Sequence, residues 1–483
     1  METTTVPKAS PEALPELAAF LAPFAPLFRR STSRQSLERY VTGLLTDLPR
    51  KNADAIAAAV ANTSTERLQH PLTDAGWDAA ALDQQRVATL TPVSPAGGIL
   101  VLDDTGLPKQ GKASVGVARQ YSGTLGKVAN CQVVVTSHYV ADEPTRSDPL
   151  HWPVGARLYL PERWAGDPAR RTRAHVPEAV PFQTKPELAL ALVDQARAWG
   201  VPFAVVVSDA GYGDNPGFLA GLEARQLAYV CRVSRTFGVR RPDEVQAAAA
   251  VVPRSAGRGQ PRKPRPAPLY PAEQVVASLP ETAWETITWR ERDGEPLQRQ
   301  FAAVRVHWGT GTPRHSTSHH LVRTGPEGWL LAERPLPGAT GETKYYFAWL
   351  PADTPLQRLA ELAHSRWPIE QFYEDAKGEC GFDDYQGRRW DGLHRHLALV
   401  MLAYSFLVAQ RRPVPAQAEA PEPAPLVPPA GGAFPPGGPA EAAAPLAPGR
   451  PSPGAGLALP RSRALAHRLR PDQTLPPSSK LTK

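Results

Sequence analysis

The chain has 483 residues, 42% of them apolar, with 54 Lys and Arg against 47 Asp and Glu, a formal charge of +7. That length suits two or three domains with a real core. No apolar run approaches the ~18 residues of a membrane span, and the opening METTTVPKASPEALPEL lacks a leader pattern, so no secretory signal is expected. Three widely spaced cysteines, Cys131, Cys231 and Cys380, give neither a disulfide framework nor a zinc pattern. They fit a reducing cytoplasm, and the mild basicity permits a nucleic-acid partner without demanding one.

In chain order, residues 1–95 read as a helical N-terminal domain: LAAFLAPFAPLF, RQSLERYVTGLLTDLP and KNADAIAAAVAN. Its basic residues, Arg29, Arg30, Arg34, Arg50 and Lys51, are either solvated helix faces or a DNA-binding surface. At Gly98 the pattern changes. GILVLDD is an apolar run stopping at two aspartates, as a buried strand does when its end opens onto a site. QVVVTSHYV (132–140) and ARLYL (156–160) are further strands, and KPELALALVDQARAWG is a helix with Pro186 in its first turn. FAVVVSDAGYGDN is a strand ending at Asp209, NPGFLAGLEARQ a helix, and LAYVCRV a fifth strand. Residues 96–237 thus make the first part of a mixed α/β sheet.

Residues 238–350 read as a β-rich insertion, with a basic loop PRSAGRGQPRKPRPAP followed by TITWRE, FAAVRVHW, GWLLAER and KYYFAWL. Residues 351–410 return to helix, with a kink or restart expected at Pro368, which has no backbone N–H to donate. Residues 411–483 are rich in Pro and Ala and are expected to be disordered, since they cannot bury enough apolar surface to offset the ordering entropy.

Within HSRWPIEQFYEDAKGECGF, a helix turning about 100° per residue puts Arg366, Glu370 and Lys377 within about 40° of one another. Alone, that is a salt-bridged surface stripe. Two carboxylates on strand ends of one sheet (Asp103 or Asp104, and Asp209) and a third on a packed helix can instead hold two divalent cations for phosphodiester chemistry. Lys109, Lys112, Arg366 and Lys377 then suit phosphate contacts, with Arg388, Arg389 and the HRH run at 394–396 continuing the basic surface.

The R-(3)-E-(6)-K spacing of Arg366, Glu370 and Lys377 and the text RWPIEQFYEDAKGECGF resemble the signature of DDE transposases of bacterial insertion sequences. LVLDDTGLPKQGKASVGVARQYSG resembles that family's first-aspartate segment and VVVSDAGYGDN its second, so the resemblance runs from about Phe24 to Val408. It implies an RNase H-like mixed sheet flanked by helices, with Asp104, Asp209 and Glu370 as catalytic, metal-binding residues. Asp104 is favoured over Asp103 because Thr105 follows it. It also implies two Mg²⁺ ions (Mn²⁺ as substitute), double-stranded DNA as partner and self-association in a DNA complex. Trp367 falls where relatives stack a base, with packing between helices as the alternative. The signature's Tyr falls on Ala363, a departure that touches phosphate or base contacts but not the metal chemistry. The function implied is binding of terminal inverted repeats, cleavage, and transfer of 3′-hydroxyl ends. A nuclease without strand transfer and a non-catalytic DNA-binding protein are the alternatives.

Overall fold

The computed structural model describes residues 8–10, 14–122, 126–144, 146, 148–250, 266–292, 294–311 and 322–411. The Pro/Ala-rich tail beyond Arg411 and most of the basic loop at 253–268 lie outside the described residues. The N-terminal region is helical as expected: α1 (Pro15–Leu21), α2 (Ser31–Leu45), α3 (Ala53–Ala59), α4 (Thr65–Thr73) and α5 (Ala79–Leu90). Side chains of Asn52, Ser64 and Asp78 accept backbone N–H groups at the starts of the last three helices, satisfying donors that have no intrahelical partner.

These helices share one core with the rest of the chain. Phe24, Tyr40, Leu44 and Leu68 are buried in the same cluster as the residues of the last helix. The fully buried Arg86 joins the regions. Its guanidinium donates to the carbonyls of Pro153 and Val154, to Ser405 Oγ and to Asp83. A buried guanidinium needs that many acceptors to offset its desolvation.

Among the described residues the sheet has twelve strands: β1 (Gly98–Pro108), β2 (Ala118–Ser122), β3 (Lys127–Val140), β4 (His151–Leu158), β5 (Phe203–Ser208), β6 (Ala228–Val233), β7 (Gly238–Arg240), β8 (Tyr270–Pro271), β9 (Glu285–Arg292), β10 (Glu295–Thr310), β11 (Arg323–Arg334) and β12 (Lys344–Trp349). β1 pairs antiparallel with β3, which pairs antiparallel with β4. On its other side β1 pairs parallel with β5, and β5 with β6. Three antiparallel strands followed by two parallel ones, flanked by helices, form the RNase H-like core. The crossovers carry α6 (Glu162–Ala165), α7 (Pro168–Arg173), α8 (Lys185–Ala198), α9 (Ala210–Gly213) and α10 (Pro216–Ala224). Thr184 and Glu187 close a capping box at the start of α8.

The expected β-rich stretch at 238–350 is present, also carries α11 (Pro242–Ala250) and α12 (Ala272–Ala277), and joins the core sheet. β12 pairs with β6 from Tyr345↔Val233 to Trp349↔Tyr229, so β12, β11 and β10 extend the core sheet. Strand β1 does not stop at its aspartates. It runs on to Pro108 because β3 continues to pair with it, while β5 ends at Leu102↔Ser208.

The chain closes with α13 (Leu356–His364), α14 (Trp367–Cys380) and α15 (Trp390–Arg411). The break at Ser365–Arg366 and the position of Pro368 in the first turn of α14 match the expected restart. Gly381 ends α14 in the left-handed conformation, φ +68°, with Lys51 packed so closely that a Cβ there would clash. Helix α15 is long and apolar enough to cross a membrane by composition, but it is largely buried within this fold as a core helix.

Candidate active site

Side chains alternate along β1. Ile99 and Val101 lie with Val205 and Val207 on one face, and Leu100 and Leu102 with Val206 on the other. The alternation carries Asp103 onto the first face and Asp104 onto the second. Asp209 follows Ser208 directly and returns to the Val205–Val207 side, at the level where β1 loses β5 as a neighbour. There its Oδ1 accepts the Gly211 N–H at 3.0 Å.

Helix α14 lies across that face. Arg366 Nη1 donates to Asp103 Oδ2 at 2.5 Å, and Nη2 to Glu370 Oε1. One turn on, Tyr373 Oη and Thr136 Oγ1 are 2.6 Å apart, and Thr136 is the cross-strand partner of Asp103. A further turn brings Lys377 Nζ to Thr105 Oγ1 at 2.7 Å. The charged stripe read from the sequence is therefore the seam between α14 and the polar part of β1. Asp103 is 13% exposed in its side chain and Glu370 61%, so the seam opens toward solvent at Glu370.

Burial, and secondarily the negative charges of Asp209 and Asp104, push the Asp103 carboxyl up to about 7, against the pull of Arg366. Burial likewise raises Asp209. Arg366 is lowered by burial, but Asp103, Glu370 and Asp209 more than offset this and hold its proton more firmly. Burial thus raises two neighbouring carboxyls, and the negative charges beside them add to it. Asp104, the aspartate that the resemblance favours, makes other bonds. It pairs with Lys185 Nζ at 3.0 Å and accepts from Tyr212 Oη at 3.1 Å.

The donor set suits hard divalent cations, which prefer carboxylate oxygen to nitrogen or sulfur. Among the described residues no group of three acidic, His or Cys ligands is assembled for a metal. Arg366 stands between Asp103 and Glu370 and supplies the positive charge there.

The other expected contacts separate. Lys109 Nζ is turned inward, donating to the carbonyls of Asp383 at 3.1 Å and Tyr385 at 2.6 Å, and so ties β1 to the loop after α14. Lys112 is exposed. Trp367 is half-buried with the Arg290 guanidinium 4.0 Å over its ring. The basic surface expected at 394–396 is turned inward, because His396 is buried, His394 is half-buried and Arg395 donates to the carbonyls of Thr73 and Trp77. Lys51 is also buried. It donates to the carbonyls of Leu44 and Glu379, the latter in the last turn of α14, which leaves it no role on a DNA-facing surface.

Sequence reading missed the partners that hold this seam. Glu333, fully buried, accepts from Lys344 at 3.2 Å, Tyr346 at 2.9 Å and His364 at 3.0 Å, and pairs with Arg299 at 3.2 Å. His364 stacks on Trp289, ring centroids 4.0 Å apart, two residues before Arg366. Only tertiary pairing of β11, β12 and α13 brings these groups together. A local sequence window carries no trace of it.

A family described as DDE superfamily endonuclease matches residues 23–296, more than half of the chain. The chain belongs to this family. The matched stretch holds Asp103, Asp104 and Asp209, while Glu370 lies beyond it. The chain is also 30% identical over 211 residues to a protein of Microchaete diplosiphon described as a probable transposase for insertion sequence element IS701. That match covers 43% of this chain and 50% of the relative, so the chain spans about half the length of the curated relative it matches.

Proposed function

We propose that this DDE-family protein is a transposase that binds the terminal inverted repeats of an insertion sequence in the cytoplasm, cleaves the ends and joins their 3′-hydroxyls to target DNA. The observation that carries the catalytic part is that Arg366 bridges Asp103 and Glu370 on one face of the core sheet, with Asp209 near enough to act on its charge. The relative's description as a probable transposase supports the choice of reaction.

In this reading Asp103, Asp209 and Glu370 would hold two Mg²⁺ ions, with Mn²⁺ able to replace them, and these would supply Lewis-acid chemistry for phosphodiester cleavage. Asp103 replaces Asp104 in the ligand set because it shares a face with Asp209 and the Glu370 seam, whereas Asp104 braces Lys185 and Tyr212 on the other side. Thr136 and Tyr373 fix the distance between β1 and α14. Arg366 and Lys377 bind phosphate oxygens near the cut, and Lys109 supports the loop below them instead of touching DNA. Trp367 presents an aromatic edge beside this track, and copies of the chain assemble on the paired ends.

The test uses a duplex carrying the element's own end. Glu370→Gln and Asp209→Asn should abolish Mg²⁺-dependent nicking while leaving end binding within about threefold. Nicking by either variant at the normal rate refutes the assignment. Joining of a pre-cleaved 3′ end to a plasmid separates a transposase from an endonuclease that only cuts.

A further inference from the structure

Four large apolar side chains stand exposed among the described residues, and two of them, Tyr121 (61%) and Val128 (52%), are direct cross-strand partners. They sit near the end of the β2–β3 hairpin, on the edge of the sheet. Cross-strand partners point to the same face, and alternation adds Arg119, two residues before Tyr121, with its partner Asn130. Asn130 donates to the carbonyls of Lys109 at 2.6 Å and Gly111 at 2.9 Å, holding the loop with exposed Lys112 against the hairpin. Arg170 donates to the Lys112 carbonyl and adds another cation.

The charge here is one-sided. Between Asp104 and Asp142 the sequence has Lys109, Lys112, Arg119 and Lys127 and no acidic residue. Strand β3 also links this face to the catalytic one, with Gln132 and Val134 buried between them. Val128, Asn130, Gln132, Val134 and Thr136 alternate along β3 without a break in the pairing to β2 and β1, and Thr136 lies opposite Asp103. Eight residues of strand span about 26 Å, which is the rise of about 8 base pairs of duplex.

We propose that the exposed face of the β2–β3 hairpin is a second contact for duplex DNA, about 8 base pairs from the scissile phosphate beside Arg366 and Asp103. Arg119 and Lys112 meet backbone phosphates, and the Tyr121–Val128 pair packs against sugars or base edges in the groove between them. The assignment rests on the catalytic reading for where the scissile phosphate lies. A second copy of the chain fits this edge less well, since Arg119 and Lys127 place positive charge on the strands that self-pairing would bring together.

Binding of fluorescein-labelled duplexes of about 8 and about 24 base pairs to the full chain, without divalent metal, tests the proposal by fluorescence anisotropy. The double variant Arg119→Ala/Tyr121→Ala should lose about tenfold in affinity for the long duplex and nothing for the short one. Its salt slope on the long duplex should fall by about 1. The melting temperature should not change, because both side chains are exposed. Unchanged affinity for the long duplex overturns the proposal. So does a loss of self-association by sedimentation with DNA affinity intact, which makes the hairpin an interface between copies. If Glu370→Gln still nicks DNA, the catalytic reading fails, while a length-dependent binding loss would still place DNA on the hairpin.

Discussion

Replacing Asp103 by Asn should stabilise the metal-free protein while destroying its activity. The carboxyl of Asp103 is displaced from an ordinary 3.8 to about 7, chiefly by burial. The folded state therefore binds a proton more tightly than the unfolded chain, and stability falls as pH rises between about 4 and 7. Three pH units at about 1.4 kcal/mol each put a ceiling of about 4 kcal/mol on the cost of ionising this group at pH 8. Asn keeps an oxygen for Arg366 and carries no charge, so Asp103→Asn removes most of that cost. Melting in EDTA at pH 8 should rise by several degrees, and the gain should vanish at pH 4, where Asp103 is already neutral. Saturating Mg²⁺ should narrow the gap by stabilising only the unsubstituted protein. Asp104→Asn, which loses the bond to Lys185, should show no such gain. A variant at position 103 that melts lower at pH 8, or whose gain persists at pH 4, refutes the reasoning.

Glu333→Gln should cost about 3 kcal/mol in urea unfolding at pH 7, because it leaves Arg299, Lys344 and His364 without their counter-charge. Burial pushes Glu333 up, but His364, Lys344 and Tyr346 bring it down to about 2. That stability is thus complete above about pH 4.5 and is lost as pH falls toward 2. A loss under 1 kcal/mol counts against the network. Lys51→Met should cost about 2 kcal/mol by the same measurement, since it strips a donor from two buried carbonyls. Arg29→Ala, at an exposed position, should cost almost nothing. Arg366→Gln should bind Mn²⁺ about tenfold more tightly in an EPR titration, because a competing positive charge is gone, yet cleave more slowly. Weaker Mn²⁺ binding would show that Arg366 does not occupy the metals' place.

Much of this was legible in the sequence. Apolar runs broken by aspartates located β1 and β5, and Pro186, Pro216 and Pro368 located helix starts. What stayed hidden was set by partners distant in sequence. GILVLDD read as a strand ending at its aspartates, but the antiparallel partner β3 carries β1 on to Pro108, and only the parallel partner β5 ends there. Which face Asp103 and Asp104 each take is a question of parity, and parity has no meaning until the faces of the sheet are assigned by Val205 and Val207. Lys51 and Arg395 read as surface charge because a local window cannot show the carbonyls of Glu379 and Thr73 waiting for them. The strands at 285–349 were recognised, but their union with the core depended on β12 finding β6.

The position of Arg366 resolves the question that its helical stripe first raised. A lone i,i+4 pair on a solvated helix contributes a few tenths of a kcal/mol and explains no preference for those residues. Here the same guanidinium also reaches a mostly buried aspartate on the central strand and lies close enough to Asp209 to be held protonated by it. Three carboxylates near one monovalent cation crowd negative charge, and this adds to burial, the larger cause, in raising the Asp103 carboxyl. Divalent ions bound as proposed would add positive charge there, and a phosphate diester would give Arg366 an acceptor in place of Glu370, the most exposed of the three. In the proposed function the ion pair and the catalytic ligand set would be two states of the same residues, and cation binding would decide between them.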